Sequence, residues 1–179
     1  MNIESNMPIE IANDVTYAPD EEDITSDENN LLKFKDRTPT NGMGYKILRM
    51  DEPLKEQMSL PNTIYEVRYN FNLEEDESLK IVDETKGRTE YILTMKIGCV
   101  LKFTGGRFIG GIINGSNTTI DAPLCHIFQD VYFKGAFSNS EFNPEWFGVG
   151  TNKNTNHIYF NYAITALSGL TRKTLVLNT

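Results

Sequence analysis

Apolar and polar positions alternate most strictly over residues 63–73. Tyr65, Val67, Tyr69, Phe71 and Leu73 fall on one face, and Ile64, Glu66 and Arg68 on the other. A period of two with one polar face predicts a half-buried strand. From residue 96 to 137 the pattern tightens. Apolar groups such as Val100-Leu101, Phe108-Ile109, Ile112-Ile113, Ile127-Phe128 and Val131-Tyr132-Phe133 return every few residues, with Gly, Asn or Asp between them. Strands this short suit neither a sandwich nor helical crossovers. They predict a chain that coils and stacks, with one short strand on each side of a turn: the start of a right-handed parallel β-helix. Gly and Asn serve its corners, where positive φ is needed. Each coil then buries its inward residues only against the next.

Weaker signals fill in the rest. Residues 31–35 alternate faintly, 38–44 read as a turn, 45–49 as a short strand and 51–58 as a brief helix with Pro53 early in it. Residues 79–82 and 91–95 flank Lys86-Gly87-Arg88 as a hairpin with a charged tip. Phe142, Trp146 and Phe147 surround Pro144, and Trp146 is expected to plug the core rather than to stack on a ligand. Residues 157–167 suit a helix ended by Ser168-Gly169, and 173–177 a strand. That strand should open a further coil, so a longer β-helix is expected to continue from it. The expected organisation is therefore an extended acidic tail and turn over 1–45 and a linker and strand region over 46–73. First coils with a hairpin insertion follow over 74–150, and a helix and strand leading onward over 151–179.

Charge sharpens the division. The 179 residues carry 17 Lys and Arg against 25 Asp and Glu, a net −8. Nine of those acids lie in residues 1–30, which hold no Lys or Arg, so the remainder is nearly neutral. The sign argues against a DNA-coating or membrane-surface protein. No apolar run of about 18 residues predicts a spanning helix, and the N-terminus lacks a secretory pattern. The acidic segment cannot bury enough apolar area to offset its chain entropy. Its sparse apolar residues instead suggest a tail that orders on a partner, with Ile9, Ile11 and Tyr17 as anchors and Glu21, Glu22 and Asp23 as the charged docking contacts.

Catalytic chemistry is hard to find. Asp121, Asp130, Glu141 and Glu145 are the candidate carboxylates, but no spacing forces two of them together as glycosidic chemistry needs. Cys99 and Cys125 are expected as small buried thiols in a reducing compartment. A nucleophile or metal site made of Cys99, Cys125 and His126 lacks a fourth ligand and an orienting acid. His157 is the other histidine. Gly105-Gly106 and Gly110-Gly111 lack the Gly-Lys-Ser/Thr of a phosphate loop. No catalytic residue, metal or cofactor is expected.

Three runs carry a resemblance: Gly42-Met43-Gly44-Tyr45-Lys46-Ile47-Leu48-Arg49, then residues 62–73 from Asn62 to Leu73, then Gly98-Cys99-Val100-Leu101-Lys102-Phe103-Thr104-Gly105-Gly106. In this order they resemble the start of fibre and tailspike proteins of phages that infect gut Bacteroidales, including crAss-like phages. Pro144-Glu145-Trp146-Phe147-Gly148, a helix and Lys173-Thr174-Leu175-Val176-Leu177 are similar to the start of pectate-lyase-like β-helices in that group. The likeness spans about residues 42–179. It departs at 74–95, which are inserted, and at Thr151–Asn156, where the group is Asp-rich.

The resemblance implies a structural virion protein, assembled in the host cytoplasm as a homotrimer. Its N-terminal tail would dock on other virion proteins, at the tail hub or near the portal or capsid. A distal region would meet a host surface glycan, with neither nucleic acid nor membrane as a partner. The alternative is the leading part of a polysaccharide lyase or hydrolase with its active groove beyond residue 179.

Overall fold

The computed structural model describes residues 24–26, 32–34, 42–151, 154–171 and 173–176. The chain divides into two compact units, Met1–Asp36 and Arg37–Thr179. In the first, β1 (Ile24–Ser26) pairs antiparallel with β2 (Leu32–Phe34). Residues 24–26 find a backbone partner in the weakly alternating run that follows.

The second unit is all-β in class, and its strands are short. They are β3 (Gly44–Ile47), β4 (Thr63–Val67), β5 (Phe71–Asn72), β6 (Lys80–Asp83), β7 (Arg88–Thr94), β8 (Val100–Phe103), β9 (Phe108–Ile109), β10 (Ile112–Asp121), β11 (Phe128–Gln129), β12 (Tyr132–Phe137), β13 (Glu141–Phe142) and β14 (Thr174–Leu175). Two α-helices accompany them, α1 (Leu54–Gln57) and α2 (Asn156–Leu167). Among the described strands of this unit only the hairpin β6–β7 is antiparallel.

All other pairings among the described strands of this unit are parallel; β13 pairs with β14, and the rest form three ladders. The first runs β3–β4–β8 and then the second half of β10. The second is β5–β9–β11. The third joins the end of β7, the first half of β10 and β12. β10 serves two ladders because it bends around Asn117, a non-glycine residue at φ 52°.

The registers repeat. Ile92, Ile112 and Tyr132 align at steps of 20 residues, Phe108 and Phe128 at 20, Val100 and Thr119 at 19, and Gly44 and Thr63 at 19. The step from Ile64 to Val100 is 36, because the hairpin lies within it. Left-handed residues mark one corner at matching steps: Gly42, Asn62, Gly98 and Asn117.

Inward positions build one core. Phe71, Phe103, Phe108, Phe128, Phe133 and Phe147 pass ring to ring at centroid distances of 4.9–6.0 Å, mostly edge to face. Each such burial contributes about 1.5–3 kcal/mol, and each edge contact about 0.5–1.5 more. The corner from the first to the second ladder is tight. A Cβ on Gly106 would lie 1.9 Å from the Tyr69 carbonyl oxygen, so only glycine lets the two turns stack.

Here the single strand expected over 63–73 is corrected. It breaks at Arg68–Asn70 into β4 and β5, and Tyr69 faces outward, 49% exposed. Val67, Phe71 and Leu73 keep the same odd-numbered positions on either side of the corner, which hides the turn between them.

Side chains finish the stack. Asn139 accepts the Ile120 N–H at 2.7 Å and donates to its carbonyl at 2.9 Å, standing in for a strand. Lys173 donates to the Phe137 and Asn139 carbonyls at 2.7 and 2.6 Å. On α2, the Tyr162 hydroxyl binds the Val131 N–H and donates to the Val131 carbonyl, and Ala163, Ala166 and Leu167 are buried.

Candidate functional site

The expected docking residues Ile9, Ile11, Tyr17, Glu21, Glu22 and Asp23 lie outside the described residues. The remaining candidates occupy different elements. Asp121 ends β10, Asp130 sits at a left-handed corner at φ 55°, Glu141 is on β13, and all three are exposed. Glu145, half-buried beside Trp146, turns Oε2 into the protein without a hydrogen-bond partner.

The two thiols lie at opposite ends of the first ladder. Cys99 precedes β8, is fully buried, and donates to the Leu60 carbonyl at 3.3 Å. Burial pushes its thiol above the usual value. Cys125 follows the far end of β10 and is exposed, which corrects its expected burial. Pro123 and Leu124 beside it in the loop from β10 to β11 are exposed as well, so a small apolar side chain gains no cover. A combined Cys99, Cys125 and His126 centre is therefore not assembled. Among the described residues no group of three or more His, Cys, Asp or Glu side chains is placed to hold a metal.

His126 is a packing residue. Its Nε2 lies 3.0 Å from the Phe128 carbonyl, and its ring meets the Tyr159 ring edge to face at 5.9 Å. Burial, then the charge of Arg107, hold it below the usual histidine value against the Phe128 carbonyl and Asp130. His157 is exposed on α2. Trp146 is 4% exposed, donates Nε1–H to the Pro123 carbonyl at 3.0 Å and meets the Phe142 ring edge to face, as a core plug does.

Two shallow grooves lie among the described residues. One, about 260 Å³, lies between the hairpin and β12, lined by Ile81, Asp83, Lys86, Arg88, Glu90 and Lys134. Its charges already pair, with Arg88 to Glu90 at 3.0 Å and Lys134 to Glu90 at 3.4 Å. The other, about 220 Å³, lies between α2 and β14 and is lined by Ile164, Leu167, Leu170, Leu175 and Lys173.

One polar cluster among the described residues is not legible in the sequence. Glu66, placed there on a polar face, is 4% exposed. It accepts Nε–H and Nη2–H from Arg68 at 2.8 and 3.0 Å, the Thr104 hydroxyl at 2.6 Å, and the Tyr45 hydroxyl. Burial pushes its carboxyl up, but those hydrogen bonds and the Arg68 charge outweigh it and hold Glu66 below the usual range. Its donors come from 21 residues before and 38 after, so only the ladder register reveals them.

Compared with known proteins, the chain matches no family model, no curated protein and no solved structure.

Proposed function

We propose that this chain is a structural virion protein of a phage: the anchor and shaft base of a tail or head fibre, built on the first coils of a right-handed parallel β-helix and assembled as a homotrimer. The observation that carries the reading is the register. Strands 19–20 residues apart stack in parallel on three ladders, with corner residues recurring at the same steps. A chain of this kind grows by adding like coils along one axis, and so makes a shaft rather than a pocket. The order of the Gly42–Arg49, Asn62–Leu73 and Gly98–Gly106 runs, similar to phage fibre starts, directs it to the virion. The acidic tail then docks on a virion protein, and regions further along the fibre meet the host surface.

Multi-angle light scattering of the 20.3 kDa chain tests the assembly. A particle of three chains is expected. A monomer that unfolds cooperatively at micromolar concentration contradicts the trimer.

A further inference from the structure

We propose that Tyr45, Glu66, Arg68 and Thr104 form a latch that holds β3 on the stack and allows β3 to detach while the coils behind it stay folded. β3 has little else to hold it. All four of its residues are only half-buried, and among the described strands it pairs with β4 alone. Its register partner to the buried Tyr65 is Lys46, a charged residue on the face that should be apolar. An inward charge on an edge strand blocks further pairing and weakens packing. The next firm anchor is Leu48, fully buried after the strand ends.

The latch supplies what the strand lacks. Glu66 on β4 takes a hydroxyl from Tyr45 on β3, a fork from Arg68 and a hydroxyl from Thr104 beyond β8. One carboxylate therefore ties three successive rungs. The groups facing it are Tyr45 from β3, Arg68 from its own corner, and Thr104 and the register partner Lys102 from β8 and its corner. Burial first, then the Glu66 hydrogen bond and charge, push the Tyr45 phenol up to about 12, so it stays a donor. Opening leaves β4 with an unpaired edge and uncovers Ile64, which makes that edge a place for another extended strand to add.

The latch is full while Glu66 is ionised. Because its carboxyl lies below the ordinary 4.5, it is complete above that value and lost as pH falls through the lowered one.

Amide hydrogen exchange on the full chain tests the proposal, with Tyr45→Phe and Thr104→Ala as the variants. Both keep the fold's apolar contacts, so the test does not depend on Glu66→Gln folding. Residues 44–47 are expected to exchange about tenfold faster in Tyr45→Phe, a local opening cheaper by about 1.4 kcal/mol. Amides of β8, β10 and β12 should stay unchanged, and Thr104→Ala should act in the same place. Unchanged exchange over 44–47 overturns the latch. Equal acceleration in every strand overturns it too, since Glu66 then belongs to the global core. The test holds whether or not the chain is a virion protein.

Discussion

The hairpin β6–β7 occupies the step from Ile64 to Val100 that is 36 residues long where its neighbours are 19 or 20. In the next two repeats of the register only Gly110-Gly111 and Asp130-Val131 join the second ladder to the third. Between Asn72 and Ile92 the same link contains the hairpin. If the stack is the folding unit, the hairpin is dispensable.

The cleanest perturbation removes residues 81–90 and joins Lys80 to Tyr91 through Asn-Gly. Lys80 and Tyr91 are register partners, so a two-residue turn closes them without strain. Leu73 and Leu79, buried at 0% and 3% exposure, remain, as does the Asp76 carboxylate that accepts the Leu54 N–H. The deleted Ile81 and Val82 are 50% and 57% exposed, so each loses at most about 1 kcal/mol of burial. The lost surface ion pairs add little. Shortening the loop from ten residues to two returns about 1.4 kcal/mol of closure entropy.

The net change should lie within about 1 kcal/mol, a shift of no more than about 4 °C in Tm. Differential scanning calorimetry of the variant against the full chain reads this directly. A loss of about 3 kcal/mol or more, or a transition that is no longer single, refutes the reasoning and makes the hairpin part of the core.

Trp146→Ala should cost about 3–5 kcal/mol in chemical denaturation, because a plug 4% exposed leaves a cavity. A variant of normal stability contradicts the core role. Gly106→Ala should cost about 3 kcal/mol or more, since its Cβ meets Tyr69 backbone that cannot yield, whereas Gly87, in open space at the hairpin tip, should tolerate alanine with only its strain at φ 61°. His126, held below the ordinary 6.5, is bound neutral. Stability is complete above 6.5 and should fall as pH drops through the lowered value, and urea midpoints of His126→Gln should lose this part of the slope.

Much of this was legible in the residues, and the misses share one cause. Short apolar runs separated by Gly, Asn and Asp declared stacked strands, and Lys86-Gly87-Arg88 declared a hairpin tip, because those signals are local. The break at Arg68–Asn70 was hidden, since the corner preserves the in-and-out parity from Val67 to Phe71. Glu66 looked like a solvated position on a polar face. Its burial depends on Tyr45 and Thr104, which only stacking brings near. Cys125 looked buried by composition, but it lies in the exposed part of the six-residue loop 122–127. Register between distant segments decides each case, and no local pattern encodes it.

The central claim is that stacked coils of this chain form a trimeric fibre base on a virion. Electron cryomicroscopy of phage particles carrying the chain tests it most directly. The account predicts three copies of the residue 42–176 fold around one axis at the root of a fibre, with residues 1–30 against a virion protein. Particles whose fibres contain no such fold, or contain it as a single copy, contradict the account.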